Sequence, residues 1–190
     1  MSENKLIGSL VLRTIDINPT GIGPCNNTNV VFDNEYGTCA GNGGVVTWKN
    51  FNLRTCLGEL YYKYDRFNLI LTAVQSRKLF NNTDGMNMLY MSGLPFTSGS
   101  GYNTRLGPTN QVAIGSVNFM TGSNSNGIST SILSGLVSFN KPLQNTFDIT
   151  VELKNSSTLT TNPLVNGYAE KVTVLMGHWS IMCDIYGIEK

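Results

Sequence analysis

One histidine and four cysteines have the most reactive side chains in this sequence. His178 is the single histidine, and it falls inside a predicted strand beside Trp179. An imidazole can activate a neighbouring thiol as a nucleophile, which makes Cys56 and Cys183 its candidate partners. No flanking motif supports such a site, and a strand histidine beside a tryptophan is more typical of a packed or edge position. We therefore predict no catalytic residue and no enzyme activity.

Metal and phosphate sites also lack their usual residue patterns. Proteins hold metals with clusters of His, Cys or carboxylate side chains, whereas the aspartates here are scattered singly. Asx turns explain those that fall at turns. The glycine-rich run 41–44 leads into a strand instead of a helix, so it does not resemble a phosphate-binding loop. The scattered aspartates are Asp16, Asp33, Asp84 and Asp148. The sequence therefore predicts no metal and no cofactor.

Three tyrosines and two cysteines remain as candidates for binding or cross-linking. Tyr61, Tyr62 and Tyr64 could stack on bases or sugars, but on an amphipathic helix they are predicted to be half core and half interface. Cys25 and Cys39 flank a loop, and a disulfide between them would contribute about 3 kcal/mol. Free thiols are the expectation for a cytosolic product, and the disulfide stays open as the alternative.

The composition restricts the classes of function. The 190 residues predict a single domain, 1–190, and only 13% of them are charged, with a net charge of +1. Binding of phosphates needs many Lys and Arg side chains, so we expect no direct contact with nucleic acid. The chain has no apolar run long enough for a transmembrane segment and no signal-peptide pattern, which predicts synthesis in the cytoplasm. Its polarity comes from Asn, Ser, Thr and Gly, and such a weakly charged surface suggests burial by neighbouring subunits.

The stretch 50–78 joins two periodicities without a break. Leu53, Leu57, Leu60 and Tyr64 recur at helical spacing, which predicts a short amphipathic helix at about 52–64. Asn52 can cap this helix, and a glycine at position 58 suggests close backbone packing. A strand over 66–78 follows, in which Phe67, Leu69, Leu71 and Ala73 share one predicted face.

Alternating apolar residues separated by turn residues predict eight strands. We expect an all-β, eight-stranded antiparallel jelly-roll sandwich whose first and last strands pair at the centre of one sheet. An immunoglobulin-like sandwich is the alternative, but the cysteine spacing and the early helix fit it less well. The long loop 21–44 contains a possible strand at 29–32, and a bulge is expected near Gly177. The predicted strands are 5–17, 45–49, 66–78, 86–92, 111–120, 131–140, 146–154 and 171–188.

Several methionines and aromatic residues fall on neighbouring strands and loops. The simple interpretation places them in the core, and the alternative is that some of them contact other subunits. The set comprises Met86, Met88, Met91, Met120, Tyr90, Phe96 and Tyr102.

The block Phe51–Leu69, with the sequence FNLRTCLGELYYKYDRFNL, resembles the helix-to-strand segment of single-jelly-roll capsid proteins. This family belongs to nucleocytoplasmic large DNA viruses and their virophages. The resemblance implies a protein without catalytic residues that forms pentamers at fivefold vertices or cements the capsid shell as a minor component. It also implies self-association, contacts with neighbouring major capsid proteins and localisation in the virion.

Three hypotheses follow. The first is a structural virion protein, a penton or else a minor or cement capsid protein, made in the host cytoplasm. The second is a trimeric jelly-roll head that binds a receptor or a glycan. The third is an enzyme on a β-sandwich such as a cupin, which ranks last because the His/Glu metal cluster is absent from the sequence.

Overall fold

Two antiparallel β-sheets contribute to one apolar core. The computed structural model describes residues 4–21, 23–25, 31–40, 43–76, 87–97, 100–103, 107–118, 128–129, 131–156, 170–172 and 177–189. In chain order the strands within these residues are β1 (Asn4–Arg13), β2 (Phe32–Asp33), β3 (Gly37–Ala40), β4 (Val45–Phe51), β5 (Arg66–Ser76), β6 (Asn87–Ser92), β7 (Ser100–Asn103), β8 (Gly107–Asn118), β9 (Ile128–Ser129), β10 (Ser131–Ser134), β11 (Leu136–Asn140), β12 (Phe147–Ser156), β13 (Glu170–Val172) and β14 (Trp179–Ile188).

The order of the strands differs strongly from their order in the chain. The first sheet has the order β1-β14-β5-β11, with β9 beside β5. The second sheet has the order β10-β8-β6-β12-β4-β3-β2, with β13 beside β12 and β7 beside β8. The predicted pairing of the first and last strands is confirmed. Their predicted place at the centre is wrong for β1, which lies at one end of the order of described strands.

Alternation along each strand determines which side chains reach the core. In β12, Ile149, Val151 and Leu153 are completely buried, as the sequence pattern predicts. In β14 the buried residues also recur at every second position, from Trp179 to Ile185. Side chains from both sheets join one buried apolar cluster.

The predicted count of eight strands is too low, because fourteen are present among the described residues. One cause is Gly135, which divides the predicted strand 131–140. The strand before Gly135 pairs with β8 in the second sheet, and the strand after it pairs with β5 in the first. The chain therefore changes sheets here, and the Gly135 amide donates to the Ile114 carbonyl at 3.1 Å. Whether a strand changes sheets depends on the distant strands with which it pairs. The alternation of residues along one strand does not identify those partners.

The first and last predicted strands are both too long. Residues 14–16 form a short 3-10 helix, so β1 ends at Arg13 instead of at position 17. The predicted strand 171–188 contains β13 and β14, with Gly177 and His178 outside both. Gly177, near which a bulge is expected, lies outside the described strands, and the register of β14 against β5 shifts between Met182 and Cys183.

That register shift changes the predicted faces of β5. Met182 pairs with Ala73 and Cys183 pairs with Leu71, which leaves Thr72 as the additional residue. The Thr72 hydroxyl donates to the Met182 carbonyl at 3.0 Å. Beyond Thr72 the buried face therefore passes from Ala73 to Val74.

The helix α1 (Leu53–Leu57) is shorter than the predicted 52–64 and continues as a 3-10 helix over Gly58–Tyr62. The predicted cap is confirmed, because the Asn52 side chain accepts from the Thr55 amide at 3.0 Å. The predicted reason for Gly58 is wrong, since a Cβ there would meet nothing within 4 Å. Its φ of +56° explains the glycine, because this left-handed backbone ends the α-helix at low steric cost only without a side chain.

Candidate functional site

His178 is a buried structural residue that precedes β14, instead of lying within it as predicted. Its Nδ1 lies 3.1 Å from the Thr14 hydroxyl, and its Nε2 lies 2.9 Å from the Gly21 carbonyl. The same hydroxyl accepts from the Trp179 amide at 3.0 Å. These partners fit a tautomer in which Nε2 donates to Gly21 and the Thr14 hydroxyl donates to Nδ1. Both ring nitrogens are therefore occupied, and neither hydrogen bond goes to a cysteine.

Replacing Thr14 with valine should lower the free energy of unfolding by about 2 kcal/mol, because the Trp179 amide and the His178 Nδ1 would each lose a buried partner. Urea unfolding would measure the change. Thr14→Ser is the matched control, since it keeps the hydroxyl and should lose less. Equal stability of the two variants would contradict a role for this hydroxyl.

The cysteines form one disulfide and leave two free thiols. Cys25 and Cys39 are joined, with a Cα–Cα distance of 5.8 Å, so the expectation of free thiols is wrong for this pair. Burial raises the pKa of the Cys56 thiol, and it raises the pKa of Cys183 to about 12. Nucleophilic cysteines need the opposite shift, toward the thiolate. Neither free thiol therefore has the environment of a catalytic nucleophile.

The described acidic residues form separate contacts instead of a cluster. Asp16 pairs with Arg13, Asp33 pairs with Lys49, and Asp148 accepts from the Asn50 amide at 3.0 Å. The predicted turn role belongs to Asn34, whose side chain accepts from the amides of residues 36 and 37. Within the described ranges, no three His, Cys, Asp or Glu side chains converge on a common point. Asp84 lies outside the described residues.

The tyrosine cluster divides into two core residues and one surface residue. Tyr61 and Tyr64 are buried, and the ring of Tyr64 packs closely over Gly187. Tyr62 is exposed, with the Arg54 guanidinium 5.1 Å from the centre of its ring. Only Tyr62 is therefore accessible for an interface.

The methionine and aromatic set is similarly mixed. Met91 belongs to the core. Phe96 is partly buried and packs against the core, where its ring contacts Phe139. Met88 and Tyr90 are half-buried. Met86 and Met120 lie outside the described residues, and Tyr102 lies in β7.

The loop 21–44 contains a hairpin that the sequence interpretation missed. β2 begins at Phe32, the last residue of the predicted strand 29–32, and pairs with β3. The signal for the turn was present in Asn34 followed three residues later by Gly37, a common pattern of type I turns. β3 in turn pairs with β4, so the loop extends the second sheet.

A groove of about 730 Å³ opens between β1, β4 and α1, and it is the candidate functional site. Such a volume is typical of a binding site for a small ligand or a partner side chain. Half-buried and buried apolar residues share its surface with polar residues at the rim. Its lining residues are Val11, Leu12, Asp16, Ile17, Glu35, Tyr36, Trp48, Lys49, Asn50, Phe51, Asn52, Thr55 and Cys56.

The groove follows the open edge of β1. The Ser9 carbonyl accepts from the Cys56 thiol at 3.6 Å, and the Arg13 carbonyl accepts from the Trp48 indole at 3.0 Å. Both carbonyls therefore point away from β14. Because alternate residues of an antiparallel strand direct their backbone groups to the same side, Val11 also presents its N–H and C=O to the groove. The site thus offers one donor and one acceptor between apolar walls.

The rim of the groove contains a residue with an unusual backbone conformation and an exposed carboxylate. Asn50 has a φ of +56°, the one positive value among the described residues other than glycine. Asparagine tolerates this conformation better than most residues. The carboxylate of Glu35 is the main cause of the raised pKa of Tyr36, through a hydrogen bond with the phenol. Glu35 forms no ion pair with a described residue.

No protein-family model matches the chain, and no curated protein matches it either. The described residues contain no helix with the length and apolar character of a membrane span.

Proposed function

We propose that this chain is a structural virion protein that forms the penton at the fivefold vertices of an icosahedral double-stranded DNA virus. The observation that carries the proposal is the strand order. The eight strands concerned are, in chain order, β1, β4, β5, β6, β8, β11, β12 and β14. The first pairs with the eighth, the second with the seventh, the third with the sixth and the fourth with the fifth. A long antiparallel ribbon folded over on itself produces these pairs, and this arrangement supports the jelly-roll topology.

The surface supports a role in assembly. Charged residues make up only 13% of the chain, and several large apolar side chains are exposed. Burial of such side chains in a contact between proteins would remove apolar surface from water, which is favourable. We propose that this surface contacts copies of the same chain in a homopentamer and neighbouring major capsid proteins. These exposed residues include Leu6, Val11, Val31 and Leu143.

The disulfide also supports a virion location. Disulfides persist in oxidising surroundings, which include virion surfaces, and they are rare in the cytosol. A protein made in the host cytoplasm and then incorporated in the capsid shell would complete the Cys25–Cys39 bond before or during assembly. A minor or cement capsid protein is an alternative position in the same shell.

The groove favours a second candidate function. Tyr36 is exposed at its rim beside Glu35 and Asn50, and aromatic rings with adjacent carboxylates and amides suit sugar hydroxyls. A trimeric receptor- or glycan-binding head would use such a groove. We rank it below the penton because no residue pattern in the sequence points to a trimer.

Native mass spectrometry over a range of protein concentrations should detect a pentamer, because heterologous contacts with fivefold rotation close into a ring. A tight trimer would reject the penton and favour the receptor-binding head. A monomer at every concentration would also reject a self-assembling penton and favour a minor capsid protein that binds only the assembled shell.

A further inference from the structure

The turn between β11 and β12 projects an isolated leucine from the surface. Leu143 is fully exposed, and no other large apolar residue in the described part of the chain approaches its accessibility. The base of this turn is held firmly. The Lys141 amide donates to the Asp65 carbonyl at 2.8 Å, and the Tyr61 hydroxyl donates to the Pro142 carbonyl at 3.2 Å. We call residues 141–146 the Leu143 knob.

Fixed anchoring of an exposed leucine is the feature that needs an explanation. The Lys141 side chain adds an ion pair with Asp65 at 3.3 Å and lies 5.0 Å from the centre of the Tyr61 ring. A turn ordered in this way has already lost much of the conformational freedom that binding would otherwise remove. The knob is thus preorganised to insert an apolar side chain into a cavity.

The groove beside β1 offers a cavity that is large enough for a leucine side chain. Leu143 is fully exposed in its own chain and is not among the residues that line the groove, so a leucine that fills the groove would come from another copy. The groove supplies apolar walls, including Trp48 and Phe51, for the leucine side chain. The free N–H and C=O of Val11 can pair with the backbone of an inserted turn.

The charges around the two surfaces have opposite signs. Lys63 and Arg66 are exposed close to the base of the knob, on the segment that also contains Asp65. Glu35 is exposed at the rim of the groove, where Asp16 pairs with Arg13 and Lys49 pairs with Asp33. Complementary charge of this kind orients partners and excludes wrong ones.

We propose that the Leu143 knob of one copy of this chain docks in the β1 groove of a second copy. The contact joins two different surfaces, so it is heterologous and suits a closed ring. The inference rests on the proposed function for its assignment of a ring, although the contact itself can be tested separately. Leu143→Ala should weaken self-association by about tenfold or more, as expected for the loss of a buried leucine.

A cysteine cross-link tests the contact directly. Cys56 is an exposed thiol that lines the groove, Cys183 is buried, and the other two cysteines are bonded to each other. Leu143→Cys should therefore form disulfide-linked oligomers under mild oxidation. Leu136→Cys is the matched control, because Leu136 is an exposed leucine on the neighbouring strand, and it should form few oligomers. Adding Cys56→Ser to Leu143→Cys should remove the cross-link.

Failure of Leu143→Cys to cross-link through Cys56 at concentrations where the wild type associates would overturn the proposal. Equal cross-linking by Leu136→Cys would also overturn it, since the contact would then be nonspecific. Tryptic peptides identified by mass spectrometry should join residue 143 of one chain to residue 56 of another.

Mixing two defective variants provides an independent test. Leu143→Asp removes the knob and leaves the groove, and Val11→Arg obstructs the groove and leaves the knob. Each variant alone should be monomeric, whereas an equimolar mixture should form a 1:1 dimer through its one intact contact. A mixture that stays monomeric, with both variants folded by circular dichroism, would overturn the proposal.

The outcomes separate docking from the vertex function. Cross-links through Cys56 in an oligomer that does not contain five chains would support the docking contact and reject the penton. A native pentamer without these cross-links would reject the docking contact and support the penton.

Discussion

Replacing Phe139 with alanine is expected to lower the free energy of unfolding by about 3 to 5 kcal/mol. The Phe139 side chain is completely buried. Its ring stacks on Phe67 at a centroid distance of 5.2 Å and contacts Phe96 edge-on at 6.2 Å. Phe67 in turn stacks on Tyr61 at 6.5 Å. The loss would therefore combine apolar burial, a cavity and two aromatic contacts.

The effect should also reach the Leu143 knob. Tyr61 donates to the Pro142 carbonyl, so the stack from Phe139 through Phe67 supports the base of that turn. Denaturant unfolding monitored by circular dichroism would measure the stability change. Phe51→Ala is the matched control, because Phe51 and Phe147 form a similar aromatic pair that is only partly buried. Equal losses from the two variants would contradict a central role for Phe139.

Local alternation predicts most of the strands because the side-chain period of a strand is read directly from neighbouring residues. The pattern of Ile149, Val151 and Leu153 identified β12 and its buried face. The same reasoning failed at Thr72, where one additional residue in β5 exchanged the two faces. A bulge depends on the register against β14, and a single strand carries little information about its partner's register.

The groove could not be predicted for a related reason. Its lining residues come from distant segments, and β1, β4 and α1 meet around the groove only in the folded chain, since β1 and β4 belong to different sheets. Trp48, which lines the groove, donates a hydrogen bond to the Arg13 carbonyl although 35 residues separate them. Gly58 shows a different limit, because a glycine inside a helical pattern can indicate either a positive φ or close packing, and the sequence does not distinguish the two.

The disulfide could not be predicted from the sequence, because the expected compartment favours free thiols while the spacing of the two cysteines permits a bridge. Cytosolic synthesis favours free thiols, whereas the separation of 14 residues is equally suitable for a loop closed by a bridge. In the folded chain Cys39 is completely buried in β3. Cys25 follows a segment in which the Asn18 side chain donates to the Gly23 carbonyl at 3.1 Å. The bridge therefore fastens an irregular segment to the second sheet.

Removing this bridge should lower the free energy of unfolding by about 3 kcal/mol, because the unfolded chain regains the entropy that a closed loop of this size excludes. The double variant Cys25→Ala with Cys39→Ala would make the change, and thermal unfolding should shift by roughly 6–12 °C for a chain of this length. Wild-type protein treated with a reductant is the matched comparison, and it should resemble the double variant. Alkylation under denaturing conditions should modify two cysteines before reduction and four after it, since Cys56 and Cys183 are free.

A stability that does not change with reductant would contradict the bridge's contribution, and four modified cysteines before reduction would contradict the bridge itself. The expected result has a consequence for assembly. The bridge lies at Cys39, and β3 pairs with β4, which lines the groove. Reduction should therefore loosen the hairpin that carries Glu35 and Tyr36 and weaken self-association together with stability. A protein of this kind would assemble best where thiols are oxidised, and measuring pentamer formation with and without reductant would connect the bridge to the proposed shell.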